Sequence, residues 1–174
     1  MTTVTLLASL PSEAAVLAAY RSAGGTIGDV LATSASALMI DGDAAPIEPE
    51  WAVKGKTVHI PCGQVDPSSL VFFQTEEMKN GSGTLGTNLS DKTRQAKLKP
   101  TNANACVFLE QNQAFLAKMP QNINCLIFPE TRFLVRFGSW CFRCLDRNDG
   151  RWVFNVYRVD YRYNGQDAVV AFGE

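Results

Sequence analysis

Cys141-Phe-Arg-Cys144 sets two thiols at the spacing by which one turn offers a thiolate pair to a metal. His59-Ile-Pro-Cys62 supplies a second pair at knuckle-like spacing. Thiolate and imidazole suit a tetrahedral zinc ion, so His59, Cys62, Cys141 and Cys144 form a Cys₃His candidate for a small zinc-binding module. Local geometry opposes it. Cys141 and Cys144 fall in an alternating run that reads as a strand, where residues three apart point to opposite faces. The chain has five cysteines, an odd number spread over most of its length, which argues against a secreted disulfide framework. The expectation is reduced thiols packed as small hydrophobes and no cofactor, with zinc as the alternative. A redox C-x-x-C needs a helix N-terminus to acidify its thiol, and nothing after Cys144 reads as helix.

Other chemistry finds less support. His59 is the one histidine of the chain, so a Cys–His dyad or a Ser-His-Asp triad has only this base to use. No nucleophile-elbow pattern accompanies it. Gly81-Ser-Gly83-Thr-Leu-Gly86 fits G-x-G-x-x-G, a phosphate cradle only between a strand and a helix N-terminus. The segment after it has no apolar periodicity, and the glycines read as a flexible loop. Asp41/Asp43, Glu48/Glu50 and Glu76/Glu77 are local carboxylate pairs with no ligand-rich context. A non-enzymatic protein is expected.

Lys92, Arg94, Lys97 and Lys99 cluster in a polar stretch, residues 79–104, that reads as a long loop. Loops of this kind are commonly functional, disordered or held by a partner, and these four cations are the candidate partner-binding site. Trp152, Phe154, Tyr157, Tyr161 and Tyr163 lie near arginines, as on a stacking platform for nucleic acid. Alternation puts Tyr157, Tyr161 and Tyr163 on one face and Arg158 and Arg162 on the other, so the platform is not assembled. Nucleic acid is the possible but unfavoured partner.

The elements that would position these groups divide in two. Ser12 caps a predicted helix from Glu13 to about Ala23, stopped by Gly24-Gly25, with a weaker helical stretch from Thr26 to Ala37. Residues 1–45 thus form a short helical N-terminal segment, and 41–49 read as a connector. Residues 46–174 form a β-rich body. Trp51–Ile60, Leu70–Gln74, Cys106–Leu109 and Cys125–Phe128 read as strands. Thr131–Leu145, Arg151–Tyr163 and Gln166–Phe172 follow as an antiparallel three-stranded meander turning at Asn148-Asp-Gly150 and Asn164-Gly165. The expected class is α+β, mainly β, with an antiparallel β-sandwich or barrel-like body, all in one domain of 174 residues.

Charge and composition limit the function. Residues 1–90 carry four basic and nine acidic side chains, and residues 91–174 carry twelve and eight. Such a split favours contact between the halves, within one fold or between neighbours, and the net charge of −1 disfavours a dedicated nucleic-acid protein. No run approaches a membrane span, and no basic residue before Arg21 supplies a signal-peptide n-region. Asn80-Gly-Ser82 and Asn88-Leu-Ser90 are then chance glycosylation matches, and synthesis in the cytoplasm is expected. The reading is a structural subunit of a larger assembly, contacting copies of itself or other subunits and no membrane. A virion component such as a phage capsid, neck or tail protein is one such role. The alternative is a small zinc- or nucleic-acid-binding module.

Overall fold

The computed structural model describes residues 39–117 and 119–173. The two expected N-terminal helices lie outside them. Strand outweighs helix, as expected. The long strands are β2 (Ala52–His59), β4 (Leu70–Phe73), β7 (Cys125–Val135), β8 (Trp140–Asn148), β9 (Arg151–Arg158) and β11 (Asp167–Gly173). Shorter strands are β1 (Ile40–Asp41), β3 (Gln64–Val65), β5 (Thr84–Leu85), β6 (Leu98–Pro100) and β10 (Arg162–Tyr163). The helices are α1 (Glu76–Lys79), α2 (Gly86–Gln95) and α3 (Ala103–Gln111).

One sheet of seven strands organises the fold, in the order β4-β11-β7-β8-β9, with β2 also on β7 and β6 also on β11. It is open, ending at β4 and β9, in place of a closed barrel. β1 with β3 and β5 with β10 form two small separate ladders. The sheet is also mixed. β11 runs parallel to β7, pairing Asp167 with Cys125 and Val169 with Ile127. The observed antiparallel meander is β7-β8-β9, not the one expected: 131–145 splits into the end of β7 and most of β8, and the run 166–172 does not pair with β9. The two turns explain the difference. Asp149 (φ 46°) and Gly150 (φ 78°) both hold positive φ, as a type I′ hairpin requires. Asn164-Gly165 makes an Asx turn instead, the Asn164 Oδ1 accepting from the Gln166 N–H at 2.9 Å. That turn sends the chain across to the sheet centre. A further hairpin lies inside 131–145, at Arg136-Phe137-Gly138-Ser139, where Gly138 takes φ 81°.

Both faces of the sheet are covered, which explains its continuous apolar strands. Leu126, Phe128, Ala168 and Val170 face α3 through Ala105, Cys106 and Leu109. Cys125, Ile127, Phe142, Cys144 and Val169 face Leu89 of α2 and Met78 of α1. Each buried Leu, Phe or Met of this set stabilises by ~2–3 kcal/mol relative to exposure.

Two sequence expectations fail here. Cys106–Leu109 is helix, because Asn102 caps α3 with its side chain on the Asn104 N–H (3.2 Å) and Ala105, Cys106 and Leu109 bury one face. Residues 79–104 are no loop. They hold β5, α2 and β6, and α2 is fixed by packing of Gly86, Leu89, Ser90 and Thr93 rather than by an apolar stripe.

The sheet forks at its centre. β7 pairs with β11 only over Cys125–Ile127 and with β2 from Thr131 onward. Between them Pro129, Glu130 and Thr131 have no counterpart on β8, a bulge that bends the strand. Thr101 bridges the gap: its N–H donates to the Val170 carbonyl (2.9 Å), and its carbonyl accepts from the Glu130 N–H (3.2 Å).

Candidate functional site

The fork gathers three of the groups singled out in the sequence. His59 sits opposite Thr131, its Nδ1 2.7 Å from the Thr131 Oγ1, which also accepts from the Ala103 N–H. Cys62 follows in the turn after β2 and lines a hollow of about 280 Å³ with Ile60, Arg94, Lys99 and Glu130. Burial pushes the Cys62 thiol up to about 11; Asp43 and Glu130 add to this, and the Asn102 backbone N–H opposes it. At neutral pH this thiol is protonated and is a poor nucleophile. Its alkylation by iodoacetamide is expected to accelerate up to pH 10 and beyond, with no plateau near pH 8. A plateau at pH 8, followed by mass spectrometry of the Cys62 peptide, would show an activated thiol instead.

The zinc set is not assembled. Cys141 pairs with Phe133 and Arg158 on one face of β8, while Cys144 packs with Cys125 in the core of the other. β8 runs against β9 without a register break, so the two thiols point apart as strand alternation demands. Among the described residues no group of three or more His, Cys, Asp and Glu side chains could hold a metal ion.

The four cations are not a free patch. Lys92 is paired with Glu77, and Arg94 with both Glu130 and Asp91. Lys97 ends α2 in a left-handed conformation (φ 58°) and Lys99 is on β6. Among the described residues these last two have no ion-pair partner. The pair Lys92–Glu77 joins the basic and acidic halves of the chain, so part of the charge split is used inside the fold.

The glycine motif also has a packing explanation. A Cβ on Gly83 would lie 2.6 Å from the Arg162 side chain, and one on Gly86 2.6 Å from the Val159 carbonyl oxygen. Gly86 does open a helix, but its N–H is taken by the Tyr161 carbonyl at 3.0 Å. No phosphate cradle remains. The tyrosines behave as the sequence implies, Tyr157, Tyr161 and Tyr163 meeting within 5.2–6.4 Å, with Arg158 bound to Asp160.

Among the described residues, the most exposed large apolar side chain was not singled out in the sequence. It lies at the β7–β8 hairpin. Phe137, at the tip, is 97% exposed. Beside it is an open hollow of about 760 Å³, lined by Trp51, Val135, Cys141, Val156 and Arg158. Its floor is stiff. Trp51 stacks on Phe154 (centroids 6.3 Å, 15°) and meets Phe133 edge-on (5.5 Å, 80°), and the Arg143 guanidinium lies over both phenylalanine rings at 5.0 and 5.7 Å. Such contacts hold an aromatic platform in place at low entropic cost on docking. In sequence Phe137 looked like one more aromatic of a strand; only the turn at Gly138 puts it in water. No protein-family model, curated protein or solved structure matches the chain.

Proposed function

We propose that this chain is a non-enzymatic structural subunit of a larger protein assembly, docking through the β7–β8 hairpin and the hollow beside it. The observation that carries the reading is Phe137, a whole aromatic ring in water at the tip of a short turn, next to an apolar hollow whose Trp51 packs on Phe133 and Phe154. Apolar patches rimmed by charge, here Arg136, Arg158 and Glu50, are typical of protein interfaces, and exposed aromatics anchor them. The protonated Cys62 thiol and the Thr131-bound His59 ring are poorly set for nucleophilic catalysis, which supports a role without chemistry. A virion component, such as a phage capsid, neck or tail protein, is an assembly that suits a small, β-rich, charge-poor subunit, by analogy of class alone. Sedimentation across a concentration series tests the docking. Phe137→Ser is expected to weaken self-association about 30-fold, the ~2 kcal/mol of a truncated aromatic anchor, with thermal unfolding unchanged. Unchanged association in the variant would remove the hairpin from the interface.

A further inference from the structure

Among the described residues four strands of the sheet, β2, β4, β6 and β9, leave an edge unpaired. β6 is only three residues long and ends in a proline. β4 is only four residues long. β2 carries Lys54, Gly55 and Lys56 at a register break, the devices by which exposed edges are kept single. β9 has neither protection. It is eight residues long, regular in register, and contains no proline, glycine or lysine.

Its outward groups can be read from the hairpin. Asn148 and Arg151 flank the two-residue turn and form a hydrogen-bonded pair, so Arg151, Val153, Asn155 and Tyr157 turn their backbone groups to β8. Trp152, Phe154, Val156 and Arg158 turn theirs outward. Trp152 is already occupied: the Gln113 side chain accepts from its N–H (2.9 Å) and donates to its carbonyl (2.6 Å), as a short stand-in strand would. Beyond that plug the edge is open among the described residues as far as the Arg158 carbonyl, which accepts from the Tyr161 N–H (3.1 Å) and the Tyr163 hydroxyl (3.3 Å). The Phe154 groups have no partner on this side, and the Val156 N–H rests only on the Asn155 side-chain oxygen (2.8 Å).

We infer that the partner at this surface is a second copy of the chain, whose β9 pairs antiparallel with this one about a two-fold axis at Val156. This rests on the assembly reading above and names its first contact. A register centred on Val156 lets the two Val156 residues exchange N–H···O=C bonds and lets each Arg158 N–H reach the other copy's Phe154 carbonyl. It keeps both chains clear of the Gln113 plug, which a register centred on Asn155 would set against Arg158. The side chains are self-complementary. Val156 meets Val156, and each Arg158 aliphatic stem lies opposite a Phe154 side chain, a favourable cross-strand pair. Strand pairing alone buries less than a stable interface needs, and the hollow lined by Val156 and Arg158 supplies the adjoining apolar area.

In a hydrogen-bonded antiparallel pair the Cα atoms are about 5.5 Å apart, within disulfide range. Val156→Cys, made with Cys141→Ala to remove the neighbouring thiol, is expected to give a disulfide-linked dimer when oxidised with diamide. Arg158→Cys in the same background is expected to stay monomeric on the non-reducing gel, its thiols being four residues out of step. Linkage in neither variant, or equally in both, overturns the inference. In the wild-type protein the Val156 and Arg158 amides should become protected from hydrogen exchange as concentration rises, and exchange unaffected by concentration overturns it independently of any variant. Loss of association by Phe137→Ser without Val156 linkage sinks only the β9 pairing. Val156 linkage with association indifferent to Phe137→Ser sinks only the role of the hairpin.

Discussion

Gly86→Ala is expected to destabilise the fold by ~3 kcal/mol, although alanine is the better helix former by ~1 kcal/mol. Two effects compete at this position, and contact distance decides between them. Gly86 is the first residue of α2, where a Cβ would ordinarily help. That Cβ would stand 2.6 Å from the Val159 carbonyl oxygen, 2.8 Å from the Phe142 ring and 2.9 Å from the Tyr163 ring. Both rings are fully buried, and the carbonyl belongs to the turn that also supplies the acceptor for the Gly86 N–H. None of the three is the free end of a flexible side chain, so the helix must move off the sheet. Urea unfolding with an unchanged m-value measures the loss. A cost below ~1 kcal/mol would mean that the 159–161 turn yields, and that close approach is not why glycine stands here.

Arg94→Ala is expected to cost ~2 kcal/mol at pH 7, more than an exposed cation ordinarily contributes. Its partner sets the size. Glu130 is 2% exposed; its Oε2 is bound to Arg94, and its Oε1 has no partner among the described residues. Removing the guanidinium leaves a buried carboxylate without a counter-charge. The half-exposed Arg94 leaves room for water to enter, which keeps the loss below the 3–5 kcal/mol of a fully enclosed pair. Adding Glu130→Gln to Arg94→Ala is expected to recover about half of the loss, because a neutral amide needs no counter-ion. Thermal denaturation of the wild-type protein and the two variants reads this out. Full stability in Arg94→Ala would return Arg94 to the pool of cations free for a partner.

These two positions also show what the sequence conveyed. Gly86 and Arg94 both lie in a stretch with almost no apolar periodicity, where Leu89 is the one large buried side chain of a ten-residue helix. A helix stabilised by a close glycine contact and a single leucine has no signature at the spacing of helical faces. By contrast, β2, β4 and β9 were legible, because alternation and the Asp149-Gly150 turn act locally, while β8 was read as continuous with the end of β7. The opposed faces of Cys141 and Cys144 followed from the same alternation. α3 misled because the window Cys106–Leu109 is uniformly apolar, a run in which strand and helix look alike. Asn102 as a cap was the cue that separated them. The parallel pairing of β11 with β7 joins segments some forty residues apart, and no local pattern encodes it. Phe137 was hidden for a different reason: composition does not distinguish an aromatic that packs a strand from one at a hairpin tip.

The position of β11 sets an order of events during synthesis. β4 and β6 have no other neighbour in the sheet, yet both precede β11 in the chain by about seventy residues or more. As the polypeptide emerges from the ribosome, β7, β8 and β9 can close their two hairpins at once, on the microsecond scale of such local contacts. β4 and β6 must wait until β11 is released, with Val71, Phe72 and Phe73 meanwhile uncovered. The completing step is therefore a long-range docking, slow relative to hairpin closure and exposed to aggregation while it is pending.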